Sequence, residues 1–145
     1  MVPSRHREIA CAVVIDTQGR FLFQQRDNIP TIILPGRVAL FGGHLDPGET
    51  FLECIVRELH EELTYFIPPE RCTHLGSHRG LDLDLEHGTA AAEFYLVRDV
   101  PATEVVVTEG SLLIAERETL PALTERLAPF ARAAVNLYTS LAVKA

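Results

Sequence analysis

The stretch from Gly43 to Tyr65, GHLDPGETFLECIVRELHEELTY, decides how the chain is read. Thr50 supplies a hydroxyl suited to capping a helix N-terminus. After it, Leu52, Ile55/Val56, Leu59 and Leu63 recur at helical spacing, which predicts a helix that buries one apolar stripe. The same segment carries glutamates at 49, 53, 58, 61 and 62. At 100° per residue, Glu58, Glu61 and Glu62 share one face beside the stripe. Like charges at these spacings cost roughly 0.2–0.5 kcal/mol per pair, and carboxylates near a helix C-terminus also oppose its dipole. A hard divalent cation, Mg²⁺ or Mn²⁺, would offset that cost through oxygen ligands, and a plain solvated acidic face is the alternative. Gly42-Gly43 and Pro47-Gly48 frame a loop that lets backbone carbonyls and Glu49 approach the same helix face.

Working outward, Glu8–Ile15 is a β-rich apolar run, Asp16–Gly19 supplies turn residues, and Arg20–Gln25 reads as the partner of a hairpin. Asp27–Gly36, with Pro30 and Pro35, is a loop, and Val38–Phe41 is a short strand running into the glycine pair. The helix must stop by Pro68-Pro69. Cys72–His78, Ala90–Arg98, Val105–Val107 and Leu112–Ala115 read as strands, with Leu81–Gly88 as a hairpin loop. A closing helix places Pro129 in its first turn and Phe130, Ala134, Leu137 and Leu141 on its inner face. Strands on both sides of a central helix, plus a terminal helix, predict an α/β/α sandwich with a mixed β-sheet, in one domain over residues 1–145.

With 13 Lys+Arg against 20 Asp+Glu, the formal charge is −7, which argues against a broad basic surface for nucleic acid. Hydrophobic residues make up 47% of the 145, enough for a core, so disorder is excluded. Cys11, Cys54 and Cys72 are an odd number at irregular spacing and read as thiols of a reducing compartment. No run is long enough to span a bilayer, and Met1–Glu8 is polar, so a cytoplasmic location is expected and no membrane partner.

The segment resembles the signature of the Nudix (MutT-like) hydrolases, G-x5-E-x7-R-E-U-x-E-E-x-G-U, where U is a bulky apolar residue. Gly43, Glu49, Arg57, Glu58, Leu59, Glu61 and Glu62 match at the required spacing. Thr64 replaces the last glycine; because that glycine ends the helix, an altered loop geometry is expected without loss of a ligand. No subfamily pattern is evident, and Val38 and Phe41 stand where many relatives have tryptophan and proline.

The resemblance implies a pyrophosphohydrolase that cleaves a phosphoanhydride in a nucleoside diphosphate linked to another moiety, a nucleoside triphosphate or a nucleotide sugar. It further implies Mg²⁺ or Mn²⁺ held by Glu58, Glu61 and Glu62 with the carbonyl of Gly42 or Gly43, and Glu49 either reaching the metal shell or pairing with Arg57. Glu58 is the first candidate for the base, and Arg57 would hold it; Glu109, beside Gly110, is the best carboxylate of a later loop, with Glu93 and Glu104 as rivals. Arg26 and Arg37 are candidate phosphate contacts. His44 and His60 read as bystanders, and Phe41, Tyr65, Phe66 and Tyr95 as core rather than stacking residues. The resemblance leaves a homodimer open. Retention of Glu58, Glu61 and Glu62 favours an enzyme over the alternative, a catalytically silent module that binds a nucleotide metabolite and regulates a partner.

Overall fold

A computed structural model describes the backbone of residues 5–144, and the side chains to Leu141. The polar stretch expected at Met1–Ser4 lies outside the described residues. The longest strand, β1 (His6–Asp16), organises the rest. Ile9, Val13 and Ile15 pack into one core, while Ala10, Ala12 and Val14 pack into a second on the opposite face. A strand buried on both faces needs apolar residues at nearly every position, which explains the unbroken run in the sequence.

The hairpin partner β2 (Phe21–Gln25) pairs antiparallel with β1 through Val14 and Leu22. The expected strand over Val38–Phe41 is divided into β3 (Val38–Ala39), which pairs with β2, and β4 (Phe41–His44), which pairs with β1 from Ile9 to Ala12. The glycine pair is therefore inside a strand, not in the loop after it. β5 (Thr73–Leu81) and β6 (Thr89–Val100) form a long hairpin, and β6 runs parallel to β1. β7 (Ser111–Ala115) pairs antiparallel with β2. The result is one mixed seven-stranded sheet.

The helix α1 (Phe51–Leu63) begins at Thr50, whose hydroxyl accepts from the Glu53 N–H while the Glu53 carboxylate accepts from the Thr50 N–H. Its buried side is Cys54, Ile55, Leu59, Glu62 and Leu63, closing the core that contains Ala10, Ala12, Val14, Tyr95 and Val97. The expected stripe is corrected at its start: Leu52 is exposed and Cys54 takes the inward position. On the other face, α3 (Pro129–Lys144) covers Ile9, Val13 and Phe94 with Phe130, Ala131, Ala134 and Val135. Leu137 and Leu141 were expected inside and are exposed, because this end of the helix reaches the edge strand β5, where Leu137 leans over Gly76. A short helix α2 (Leu120–Leu123) precedes α3. The two helical layers with the sheet between them make the expected α/β/α sandwich.

Val105–Val107 is not a strand. It follows a single helical turn at Ala102–Glu104 and crosses the end of α1, where the N–H groups of Val106 and Thr108 donate to the carbonyls of Leu63 and Glu62. These bonds satisfy carbonyls that a helix end leaves without internal partners. Val105 and Val107 pack on the α1 core while Val106 faces out, giving an alternation that mimics a strand. Thr64 itself takes the left-handed conformation (φ 54°, ψ 34°), and its hydroxyl donates to the Val106 carbonyl at 2.8 Å. The helix thus ends through a left-handed residue even though that residue is β-branched.

Candidate active site

The site arises from a break in side-chain bulk between α1 and β1. A Cβ on Gly42 would stand 2.1 Å from the Ala10 carbonyl oxygen, and one on Gly43 would stand 2.7 Å from the Glu58 carboxylate. Gly42 also has φ of 147°, a conformation that side chains disfavour. The glycine pair is therefore a window through which α1 carboxylates reach a cavity of about 400 Å³ on the α3 side of β1. Glu58, Glu62 and Glu109 line one part of it, with Gly42, Gly43 and His44. Ile9, Leu40, Ala128, Phe130 and Ala131 make apolar walls.

Arg57 ties the signature together. Its guanidinium donates to both Glu49 oxygens at 2.7 and 2.9 Å, to Glu58 Oε1 at 2.8 Å, to Glu61 Oε2 at 3.3 Å and to the His44 carbonyl at 3.0 Å. Five N–H groups in a rigid fork allow one side chain to fix both the loop and the helix. The Arg57 bonds hold the Glu49 carboxyl well below its usual range, at about 2. Glu49 is spent on Arg57 and on the Asp46 N–H. Of its two anticipated roles, the structure displays the pairing.

Glu62 is buried, and its two oxygens each lie 3.4 Å from the Gly42 N–H, a long and shared contact. Burial, then the neighbouring Glu58 carboxylate, pushes its pKa well above the carboxylate range. Glu61 is mostly exposed and outside the cavity lining, and its carboxylate is held by Arg57. Among the described residues no three His, Cys, Asp or Glu side chains converge as a ready-made metal cage. What converges is a pair of hard carboxylate donors, Glu58 and Glu62, crowded against the backbone of Gly42 and Gly43. That set suits Mg²⁺ or Mn²⁺, which keep waters and share ligands with a phosphate. The crowded Glu58–Glu62 pair is the observation that fits such an ion, since like charges in a low-dielectric site need a cation or a proton.

The structure brings Arg26 to the cavity, where its Nε donates to the Ile33 carbonyl at 2.6 Å. Arg37 is not among the lining residues; its guanidinium donates to the carbonyls of Arg126 and Leu127. Glu109 reaches the cavity on a turn made tight by Gly110 (φ 66°), whereas Glu93 is engaged by His74, Ser77 and Arg79, and Glu104 is exposed elsewhere. Phe41 and Tyr95 are core residues, Phe66 is exposed against His60, and neither they nor Tyr65 line the cavity. His44 does line it, unlike His60. Burial, and then the charge of Arg7, pull its pKa below the ordinary histidine value.

Sequence reasoning missed Arg7, Cys11, Asp84 and Phe130 as lining residues. Only the acid-rich Leu81–Glu86 segment carried a signal, and an alternating polar hairpin loop reads the same way. Burial, chiefly, drives the Cys11 thiol far above its normal range, which disfavours the reactive thiolate despite its place in the wall.

Known proteins share the fold that carries this site. A family model described as NUDIX domain matches residues 5–133. A MutT protein from Methanosarcina mazei Go1 is similar in fold, with a TM-score of 0.77 and 19% identity over 97% of this chain and 98% of its own. A MutT NUDIX hydrolase from Burkholderia pseudomallei gives 0.69 and 22%, over 92% and 98% respectively. A bifunctional NMN adenylyltransferase/ADP ribose pyrophosphatase from Francisella tularensis, complexed with AMP and a Mn ion, gives 0.70 and 17%, over 99% of this chain and 43% of that one. No curated protein matches significantly. Among the described residues no helix is long and apolar enough to cross a membrane. With the family model spanning most of its length and two of its signature glutamates, Glu58 and Glu62, at one cavity, the chain belongs to the NUDIX family and is a Nudix hydrolase.

Proposed function

We propose that the protein hydrolyses a phosphoanhydride bond in a nucleoside diphosphate linked to another moiety, a nucleoside triphosphate or a nucleotide sugar, with Mg²⁺ or Mn²⁺ as cofactor. The observation that carries this reading is the Glu58–Glu62 pair at the glycine window, two carboxylates crowded at the wall of a cavity with room for a small molecule. A diphosphate does not approach such a wall unless its charge is offset.

Glu58, Glu61 and Glu62, with the Gly43 carbonyl, would hold the ion; it supplies charge neutralisation and a more acidic water. Arg57 orients Glu58 by the 2.8 Å bond and is itself locked by Glu49. Glu58 takes the proton of the attacking water, and Glu109, on a later loop, is a further carboxylate of the same cavity. Arg26 offers the cation for substrate phosphates. The partner implied is therefore a small nucleotide-type molecule.

The test is release of phosphate and pyrophosphate from nucleoside triphosphates, nucleotide sugars, dinucleotides and ADP-ribose with Mg²⁺ or Mn²⁺, beside Glu58→Gln. Turnover of one compound, lost in the variant, supports the reading and names the bond cleaved. Turnover that persists in Glu58→Gln, or that is unaffected by a chelator, overturns it.

A further inference from the structure

The cavity has a polar group in its apolar half that the chemistry above does not use. Asp84 sits in the β5–β6 loop and lines the cavity near Phe130, Ala131 and Ile9. Its position is built, not incidental. Arg7, itself nearly buried, forms a two-point ion pair with Asp82 at 2.6 and 2.8 Å. Asp82 Oδ1 then accepts from the N–H groups of Asp84 and Leu85 at 3.0 and 3.2 Å, fixing the loop. Asp84 Oδ1 accepts from the Phe130 N–H in the first turn of α3 at 3.0 Å. Among the described residues Oδ2 has no hydrogen-bond partner, and it is not among the buried unpaired atoms. Asp84 lines the cavity, so this second oxygen is the acceptor it has left for a ligand there.

A carboxylate between apolar walls with one free oxygen is an unfinished hydrogen-bonding group. Burial pushes the Asp84 pKa up, as expected of a carboxyl whose charge is poorly solvated there. A ligand that brings an N–H group to Oδ2 relieves that cost, whereas one that brings carbonyl oxygens adds repulsion. On the nucleotide-substrate reading proposed above, the apolar half takes the base while the carboxylate half takes the phosphates. We propose that Asp84 is a specificity-determining residue: its free oxygen accepts from the exocyclic amino group of adenine, guanine or cytosine and disfavours uracil. The N3–H of uracil lies between two carbonyl oxygens, so a carboxylate that accepts from it meets secondary repulsion from both, whereas an exocyclic amino group presents no such pair.

The test uses nucleosides, which have no phosphate and need no metal. Binding of adenosine, guanosine, cytidine and uridine to the full chain is measured by saturation-transfer NMR titration, for the parent and for Asp84→Asn. The asparagine keeps an oxygen for the Phe130 N–H, and an unchanged melting temperature verifies that α3 still starts correctly. The expected result is that at least one amine-bearing nucleoside binds the parent tenfold or more tightly than uridine, and that Asp84→Asn brings the ratio within threefold. Equal binding of uridine, equal weakening of all four by the variant, or no binding of any nucleoside overturns the proposal. Nucleoside discrimination without hydrolysis of any nucleotide would instead count against the hydrolytic reading and leave this one standing.

Discussion

Adding one methyl group to either of two adjacent glycines should separate folding from catalysis. At Gly43 the three atoms nearest the Cβ would all belong to the Glu58 carboxylate, its carbon at 2.7 Å and its farther oxygen at 2.9 Å. Ordinary van der Waals contact begins at 3.4 Å, so the carboxylate must retreat by about 0.7 Å. That end of a glutamate is flexible, and Gly43 carries no positive φ, so Gly43→Ala should fold with a loss of stability under about 1 kcal/mol. The same retreat pulls Glu58 from its 2.8 Å bond to Arg57 and from the place where, on the proposed reading, it would meet water and metal. Displacing a catalytic group by nearly 1 Å costs on the order of 10²-fold in rate, or about 2.7 kcal/mol of transition-state stabilisation. At Gly42 the Cβ would strike the backbone, 2.1 Å from the Ala10 carbonyl oxygen and 2.7 Å from the Cys11 Cα, and φ of 147° is itself unfavourable. The β1–β4 ladder would have to part there, so Gly42→Ala should lose about 3 kcal/mol or more of stability. Urea unfolding and steady-state kinetics on the substrate found in the panel measure both quantities. A Gly43→Ala enzyme of parental activity would refute the placement of Glu58 as a base whose position matters. Equal destabilisation by the two variants would refute the steric distinction between flexible carboxylate and backbone.

Thr64→Val keeps the β-branch in the left-handed position but removes the hydroxyl bonded to Val106, and should cost about 1 kcal/mol in urea melts. Thr64→Gly should be close to neutral, because relief of roughly 1–2 kcal/mol of left-handed strain offsets the lost bond and the greater freedom of glycine in the unfolded chain. At Asp82 burial raises the pKa, but the Arg7 hydrogen bonds and charge outweigh it and hold the group below its ordinary 3.8. The folded pKa is depressed, so this stabilisation is complete above the unfolded value near 4 and is lost as pH falls through the folded value. Thermal melts from pH 7 to pH 2 should show this loss, and Asp82→Asn should flatten the acid limb while costing roughly 2 kcal/mol at pH 7. Mg²⁺ or Mn²⁺ at 100 times its dissociation constant should stabilise the chain by about 2.7 kcal/mol, seen as a rise in Tm that Glu62→Gln diminishes. A parental Tm rise in Glu62→Gln would move the ion away from the buried carboxylate.

What could be read from the chain followed from how local the cause was. The helix from Phe51 to Leu63 and its Thr50 cap depend on neighbours three and four residues apart, and these are visible in a string of letters. The β1–β2 hairpin likewise follows from two apolar runs and a short turn. Val105–Val107 deceived because alternating burial has two causes. A strand alternates against a sheet, whereas this segment alternates against the end of α1 while its N–H groups satisfy helix carbonyls. Leu137 and Leu141 kept helical spacing, but spacing tells which residues share a face, not how far the sheet beneath that face extends.

The same distinction runs through the site. The Glu49–Arg57–Glu58–Glu61 links lie within 13 residues of sequence, and the signature exposed them. Arg7, Asp84 and Phe130 meet across separations of 46 and 75 residues, through Asp82 as the shared anchor of the loop. Their types are unremarkable singly in the sequence: an arginine near the start of the chain, a loop aspartate, a phenylalanine on an apolar helix face. Only the parallel pairing of β1 with β6 places the start of the chain beside the β5–β6 loop, and only α3 crossing that face delivers its first turn to Asp84. Glu58, Glu62 and the glycine window are therefore written in one contiguous segment, while Glu109 and the Arg7–Asp84–Phe130 side of the cavity are assembled by topology. A shared signature can then accompany different substrates, because the loop bearing Asp84 can change without disturbing Arg57 or the carboxylates it holds.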